Sequence, residues 1–496
     1  MMILSTSIGD VYANVVGQSD SGDPVYAIPS VPYAHAGRFE KPVVVDEYTK
    51  GKPINREDTV CFWQHGYPLW ANVFLKHHMM RPEFLPLNDT QTEDAFVVNI
   101  WTDSLTDHKP VAVFIHGGGE GSGTVPIYTG GNLASHGIVF VSITYRIGNF
   151  GYLPYFDGGN MTANLAYYDQ QAALIWIRKN IGSFGGDPDN ITLMGHCGGG
   201  LSCMYQFLNP VSNKQFDKLI LFAGNLPHIT KREQAEKVFN DYLKKKKISD
   251  PKILKTVPYK CLIDKHNPIS EADVIDGDFF IEDPNKLLKE GRFPSIPVLL
   301  GTNSDEFSMI EIPMYYKFLG ITTRDSQLDE VLRNKYGDFG NLLKAAFEKD
   351  ATGPVDIQTK IMELLVFHNS SYQLMKYYSS KCPVYGYRMH YAPDLYKKLR
   401  GSYHGAELAL FFDNMDKMNI PIPEENKLQT RILQKDWLEF IKTGVIPNRP
   451  RFDETGLITD YDDEITSVPF PNKDLIEKVN DAGLCERARC SYLETM

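Results

Sequence analysis

Ile191-Thr192-Leu193-Met194-Gly195-His196-Cys197-Gly198-Gly199 joins an apolar run to a helical pattern that continues from Leu201 to Leu208. The stretch reads as a strand, a sharp turn and a helix. A turn this tight needs small flanking residues, which the glycines supply, and it lifts the central side chain above the end of a sheet. The usual pattern is Gly-x-Ser-x-Gly, and here Cys197 holds the serine position. Alone the motif is weak, because glycine is common and a buried, inert cysteine satisfies it equally well.

Further apolar runs lie on either side: Val111 to Ile115, Ile138 to Ile143, Leu219 to Ala223 and Pro297 to Leu300. Runs of this length without polar alternation predict strands buried on both faces of a sheet. Leu174, Ile177 and Ile181 recur at helical spacing before Gly182, Gly185 and Gly186 close the pattern. Alternating strands and helices predict a mainly parallel central sheet with helices on both faces. Val384 to His390 reads as a later strand. Between about 307 and 380 helical patterns dominate, as in Leu342 to Phe347. We read this as a cap-like helical excursion over the site, within a single domain spanning 1–496.

Three further segments fit the turn at Cys197. His116-Gly117-Gly118-Gly119 follows the run Val111 to Ile115 directly. Glycines there allow backbone N–H groups to face a developing oxyanion, joined by the N–H of Gly198. Downstream, Asp305-Glu306 follows the run ending at Leu300, with Gly301 to Ser304 read as loop. Gly401-Ser402-Tyr403-His404-Gly405 follows the strand at 384–390. The chain order nucleophile, acid, histidine is then Cys197, Glu306, His404. His404 takes the thiol proton, and Glu306 orients the imidazole and steadies its charged form.

Composition excludes several classes. The chain has 496 residues, with 51 Lys and Arg against 62 Asp and Glu, a formal charge of −11. Such an acidic chain repels phosphate backbones, so nucleic acid is not an expected partner. No apolar run reaches the length of a membrane span. Met1 to Thr6 lacks a basic n-region and a long apolar run. The seven cysteines are an odd number. The expectation is a cytoplasmic protein with reduced thiols, and a secreted mature chain is the alternative. The proposed chemistry requires no metal and no organic cofactor. Oligomeric state is not legible.

Together these motifs resemble the type-B carboxylesterase and cholinesterase family of α/β-hydrolases, across nearly the whole chain. Ile28 to Phe39 is similar to its Gly-Ile-Pro-Tyr-Ala…Arg-Phe segment, and Glu93 to Trp101 to its Glu-Asp-Cys-Leu-x-Leu-Asn-Val-Trp motif. His116 to Gly123, Tyr145-Arg146-Ile147-Gly148, Phe184 to Pro188, Val274 to Gly277 and Trp437…Pro447-Asn448 match further segments in order. The resemblance implies an α/β-hydrolase fold and hydrolysis of small carboxylic esters. It assigns the acid to Glu306, the histidine to His404 and the oxyanion donors to Gly118, Gly119 and Gly198. Asp305 is then structural, and Glu407 a supporting or surface group.

The chain departs from the family at four places. Gly-Glu-Ser-Ala-Gly becomes Gly195-His196-Cys197-Gly198-Gly199. Glu120 stands where an aromatic follows the glycine run, and Phe307 where a glycine follows the acid. Ala95 replaces the partner of Cys61 in the family's first disulfide. Glu120 and His196 are weaker candidates for a pocket wall, or simply pair with each other. Three readings of Cys197 stay open. It is the nucleophile of a thiol hydrolase, the mark of an impaired esterase-like protein that binds a ligand or partner, or a serine exchanged by design.

Overall fold

Residues buried on both faces of a sheet carry apolar side chains at consecutive positions, and all five of Val139–Ile143 are buried. The computed structural model describes residues 1–64, 90–119, 121, 123, 128–263, 273–310, 316, 320–392, 401–413 and 427–493. Among these, twelve strands form one sheet. In chain order they are β1 (Met2–Thr6), β2 (Gly9–Gln18), β3 (Pro24–Pro32), β4 (Val97–Thr102), β5 (Lys109–Ile115) and β6 (Val139–Ile143). There follow β7 (Gly186–His196), β8 (Lys218–Phe222), β9 (Val298–Asn303), β10 (Val384–Met389), β11 (Leu457–Tyr461) and β12 (Ile465–Pro469). The spatial order is β1-β2-β3-β4-β6-β5-β7-β8-β9-β10-β11-β12. From β6 to β11 every pairing is parallel. Antiparallel pairings bring in β1 to β4 at one edge and β12 at the other.

Side chains alternate across the sheet. Val111, Val113 and Ile115 of β5 join one core, with Leu174, Trp176 and Ile177 of α1 (Leu165–Asn180) and Cys203 and Phe207 of α2 (Gly198–Leu208). Ala112 and Phe114 of the same strand join the opposite core. There they meet Met194, Phe222 and the fully buried Trp437. Helices therefore cover both faces, as the sequence predicts.

β9 runs further than the apolar run suggests. Gly301, Thr302 and Asn303, expected as loop, pair with Tyr387, Arg388 and Met389 of β10. Pairing to a neighbouring strand, not apolar character, carries the element to Asn303. This extension sets Glu306 three residues beyond the sheet's edge.

Between β9 and β10 the chain is helical. It contains α3 (Asp325–Tyr336), α4 (Phe339–Phe347), α5 (Pro354–Glu363) and α6 (Asn369–Tyr378). A π-helical turn, Leu364–His368, links the last two. It brings Phe367 to 4.8 Å from the His404 ring. Among the described residues no helix is long and apolar enough to cross a membrane.

Candidate active site

Cys197 stands between β7 and α2 with φ 55° and ψ −121°. Left-handed backbone is uncommon for any residue other than glycine and stores strain that the surroundings must hold. The Cys197 N–H donates to the Phe222 carbonyl of β8 at 3.0 Å. A Cβ on Gly199 would lie 2.1 Å from the Ile115 carbonyl oxygen, so only glycine lets α2 start this close to β5. The side chain is left half-buried at the first turn of α2.

The glycine loop after β5 leans directly on this turn. A Cβ on Gly117 would lie 2.5 Å from the His196 carbonyl oxygen and 3.2 Å from Cys197 Cβ. The loop is anchored through His116, whose carbonyl accepts from Tyr145 Oη at 2.8 Å and whose ring stacks on Tyr145 at 4.4 Å. Burial holds His116 neutral, pushing it down to about 4, although contact with the Gly117 carbonyl opposes this. Gly118 is exposed and Gly119 half-buried, with φ 122° and 57°. Glu120 lies outside the described residues.

His404 Nδ1 meets Glu306 Oε2 at 2.5 Å. The Glu306 side chain is fully buried. Its other oxygen accepts from Thr302 Oγ1 at 2.5 Å and from the Asn303 N–H at 2.7 Å. Asp305 ties down the histidine loop: its N–H donates to the Ser402 carbonyl at 3.1 Å, and its Oδ2 accepts from the Ser402 N–H at 3.0 Å. His404 Nε2 is buried, and the Cys197 side chain is the group that acts on the ring from the side opposite Glu306.

The electrostatics pair sulfur with imidazole. Burial opposes charge on Cys197, but the His404 imidazole and the Gly198 N–H outweigh it and lower the thiol. Burial likewise opposes charge on His404, yet the sulfur and Glu306 raise it well above the ordinary histidine value. Burial would raise Glu306, and His404 with Thr302 and Asn303 brings it below the ordinary range. All three directions favour a thiolate, an imidazolium and a carboxylate. Such an arrangement can attack a carbonyl carbon and return a proton to a leaving oxygen.

Two neighbours complete the site. The His196 ring lies 4.4 Å from that of His404. Burial, then the nearby His404, drives His196 well below the usual histidine range. Glu407, at the start of α7 (Ala406–Phe411), is fully buried and not a surface group. It accepts from Asn303 Nδ2, while its Oε1 has no partner. Burial and the neighbouring Glu306 raise it to about 7. The supporting roles of Thr302, Asn303 and Phe367 carry no motif of their own, since polar and aromatic residues are common beside strand ends. Among the described residues no group of His, Cys, Asp and Glu could hold a metal ion.

Comparison with known proteins identifies the family and the fold. A model described as the carboxylesterase family matches residues 2–473. Para-nitrobenzyl esterase of Bacillus subtilis (strain 168) is 30% identical over 419 residues, covering 78% of this chain and 83% of that protein. Human cocaine esterase is 27% identical over 498 residues, covering 91% and 86%. A solved structure titled PNB esterase superposes with a TM-score of 0.75 at 27% identity, covering 96% of this chain and 99% of the other. The chain belongs to the carboxylesterase family, as a hydrolase of the α/β-hydrolase fold.

Proposed function

We propose that this protein hydrolyses small carboxylic esters with Cys197 as nucleophile, His404 as proton carrier and Glu306 as the group that orients it. One observation carries the reading. His404 is fixed at Nδ1 by Glu306 at 2.5 Å, while its Nε2 is buried and the Cys197 sulfur acts on the same ring.

The Cys197 thiolate adds to the ester carbonyl carbon, and the N–H groups of Gly118, Gly119 and Gly198 receive the oxyanion. The His404 imidazolium gives its proton to the alcohol oxygen as the C–O bond breaks, leaving a thioester. Water then attacks the thioester carbonyl. His404 accepts a water proton, the C–S bond breaks, and the acid departs with the thiolate restored. Relatives named para-nitrobenzyl esterase and cocaine esterase support a small-molecule ester as substrate class. A reducing compartment such as the cytoplasm suits the reading. Cys197, Cys203, Cys261 and Cys382 are free thiols, and a sulfur nucleophile must stay reduced.

An activated ester tests this. Rapid quenching followed by mass spectrometry is expected to place the acyl group on Cys197. Cys197→Ala is expected to lose at least about 10³-fold in kcat/KM. An acyl group on another residue, or unchanged turnover in Cys197→Ala, overturns the proposal.

A further inference from the structure

Positions 196 and 197 both differ from the resembled family's Gly-Glu-Ser-Ala-Gly, and the two exchanges are opposite in charge. A serine hydroxyl is neutral at rest. A cysteine whose proton passes to the neighbouring imidazole puts a negative charge at 197 and the matching positive charge on the His404 ring. Histidine in place of glutamate removes a negative charge at 196.

Both changes bear on the same group. The His196 ring is tilted 41° against His404 at 4.4 Å. It is 6% exposed, and its Nε2 has no hydrogen-bond partner. Protonation there would put a second cation against the imidazolium, so burial keeps the ring neutral. Its edge lies along the 404–405 backbone, where a Cβ on Gly405 would sit 3.3 Å from Cε1 and 3.5 Å from Nε2. Cys197 acts on the His404 ring from the turn between β7 and α2, Glu306 from the turn after β9 and Glu407 from α7. Asp305 and Glu363, the last residue of α5, stand behind Glu306, and neutral His116 supports the glycine loop.

We propose that His196 is a positioning residue whose neutrality compensates for the sulfur nucleophile. The His404 imidazolium then faces the thiolate and Glu306 without a third anion at 196, and can release its proton to the leaving group. This rests on the thiol reading of the site. A serine at 197 would leave room for a carboxylate at 196, because the hydroxyl brings no resting charge; a thiolate does not.

The test compares His196→Glu with His196→Gln in the full chain. Ester turnover and iodoacetamide alkylation of Cys197 are each followed against pH, with urea unfolding as the check on folding. A carboxylate at 196 opposes the thiolate and holds the proton on His404. Both limbs of the profile are therefore expected to move up by about one pH unit, with alkylation on the acid limb about tenfold slower. The uncharged glutamine is expected to leave both limbs within about 0.3 unit. His196→Asp against His196→Asn repeats the comparison if the glutamate variant does not fold. Equal shifts for charged and neutral variants, or no shift in either, overturn the compensation. Turnover that survives Cys197→Ala removes the thiol reading itself; turnover lost there, with a profile blind to charge at 196, removes only this inference.

Discussion

The two sides of the His404 ring differ in how completely they are satisfied. On the Nδ1 side, Glu306 binds the ring while Thr302 and Asn303 hold its other oxygen, and that carboxylate is sealed from water. On the Nε2 side, the ring meets the Cys197 sulfur and the buried His196 ring, whose own Nε2 has no hydrogen-bond partner. The first side keeps the family's acid and histidine; the second carries the exchanges at 196 and 197. The contrast teaches that a buried ion pair tolerates little change because a lost partner leaves a charge stranded.

Breaking the satisfied side gives the largest expected effect. Glu306→Gln removes the charge that fixes the ring and is expected to lower kcat/KM by about 10²- to 10⁴-fold. A loss below about tenfold would mean the thiolate alone holds the imidazolium, and the two sides would no longer be distinct in role.

Thr302→Val keeps the shape and removes one donor to Glu306. It is expected to lower stability in urea by about 1–3 kcal/mol at neutral pH. Glu306 is held below its ordinary value of 4.5, so its stabilising contribution is present above that pH and fades as pH falls through the lowered value. The deficit in Thr302→Val should therefore shrink in strong acid. A pH-independent deficit would assign Thr302 to packing alone.

Glu407→Gln sharpens the comparison most gently. This carboxyl is raised to about 7, so the folded protein holds its proton more tightly than the unfolded chain does. Stability then declines as pH rises from the unfolded value of 4.5 to about 7. The glutamine variant is expected to gain on the parent across that window, by about 1–3 kcal/mol at its end. A flat difference in thermal unfolding between pH 4 and 8 would mean Glu407 is ionised in the folded state.

The parallel half of the sheet is legible in sequence because its strands are covered on both faces and read as unbroken apolar runs. The antiparallel edge is not. Val15 and Val16 of β2 are 57% and 50% exposed, so apolar residues there signal no core. Glycine spacing and chain order single out Cys197, Glu306 and His404 as the proposed site. They do not single out the donors around Glu306, since Thr302 and Asn303 look like loop until β10 pairs with them. Glu407 misleads because an acid at a helix start is normally solvated, and only tertiary packing buries it.

The left-handed turn at Cys197 also limits which residues that position can ever hold. A β-branched side chain at φ 55° is a steric outlier, so threonine and valine are shut out, while serine, cysteine and alanine fit the same backbone. Exchange between an oxygen and a sulfur nucleophile is thus a single-atom substitution that the scaffold does not register. Lineages can cross between the two chemistries without passing through a misfolded ancestor.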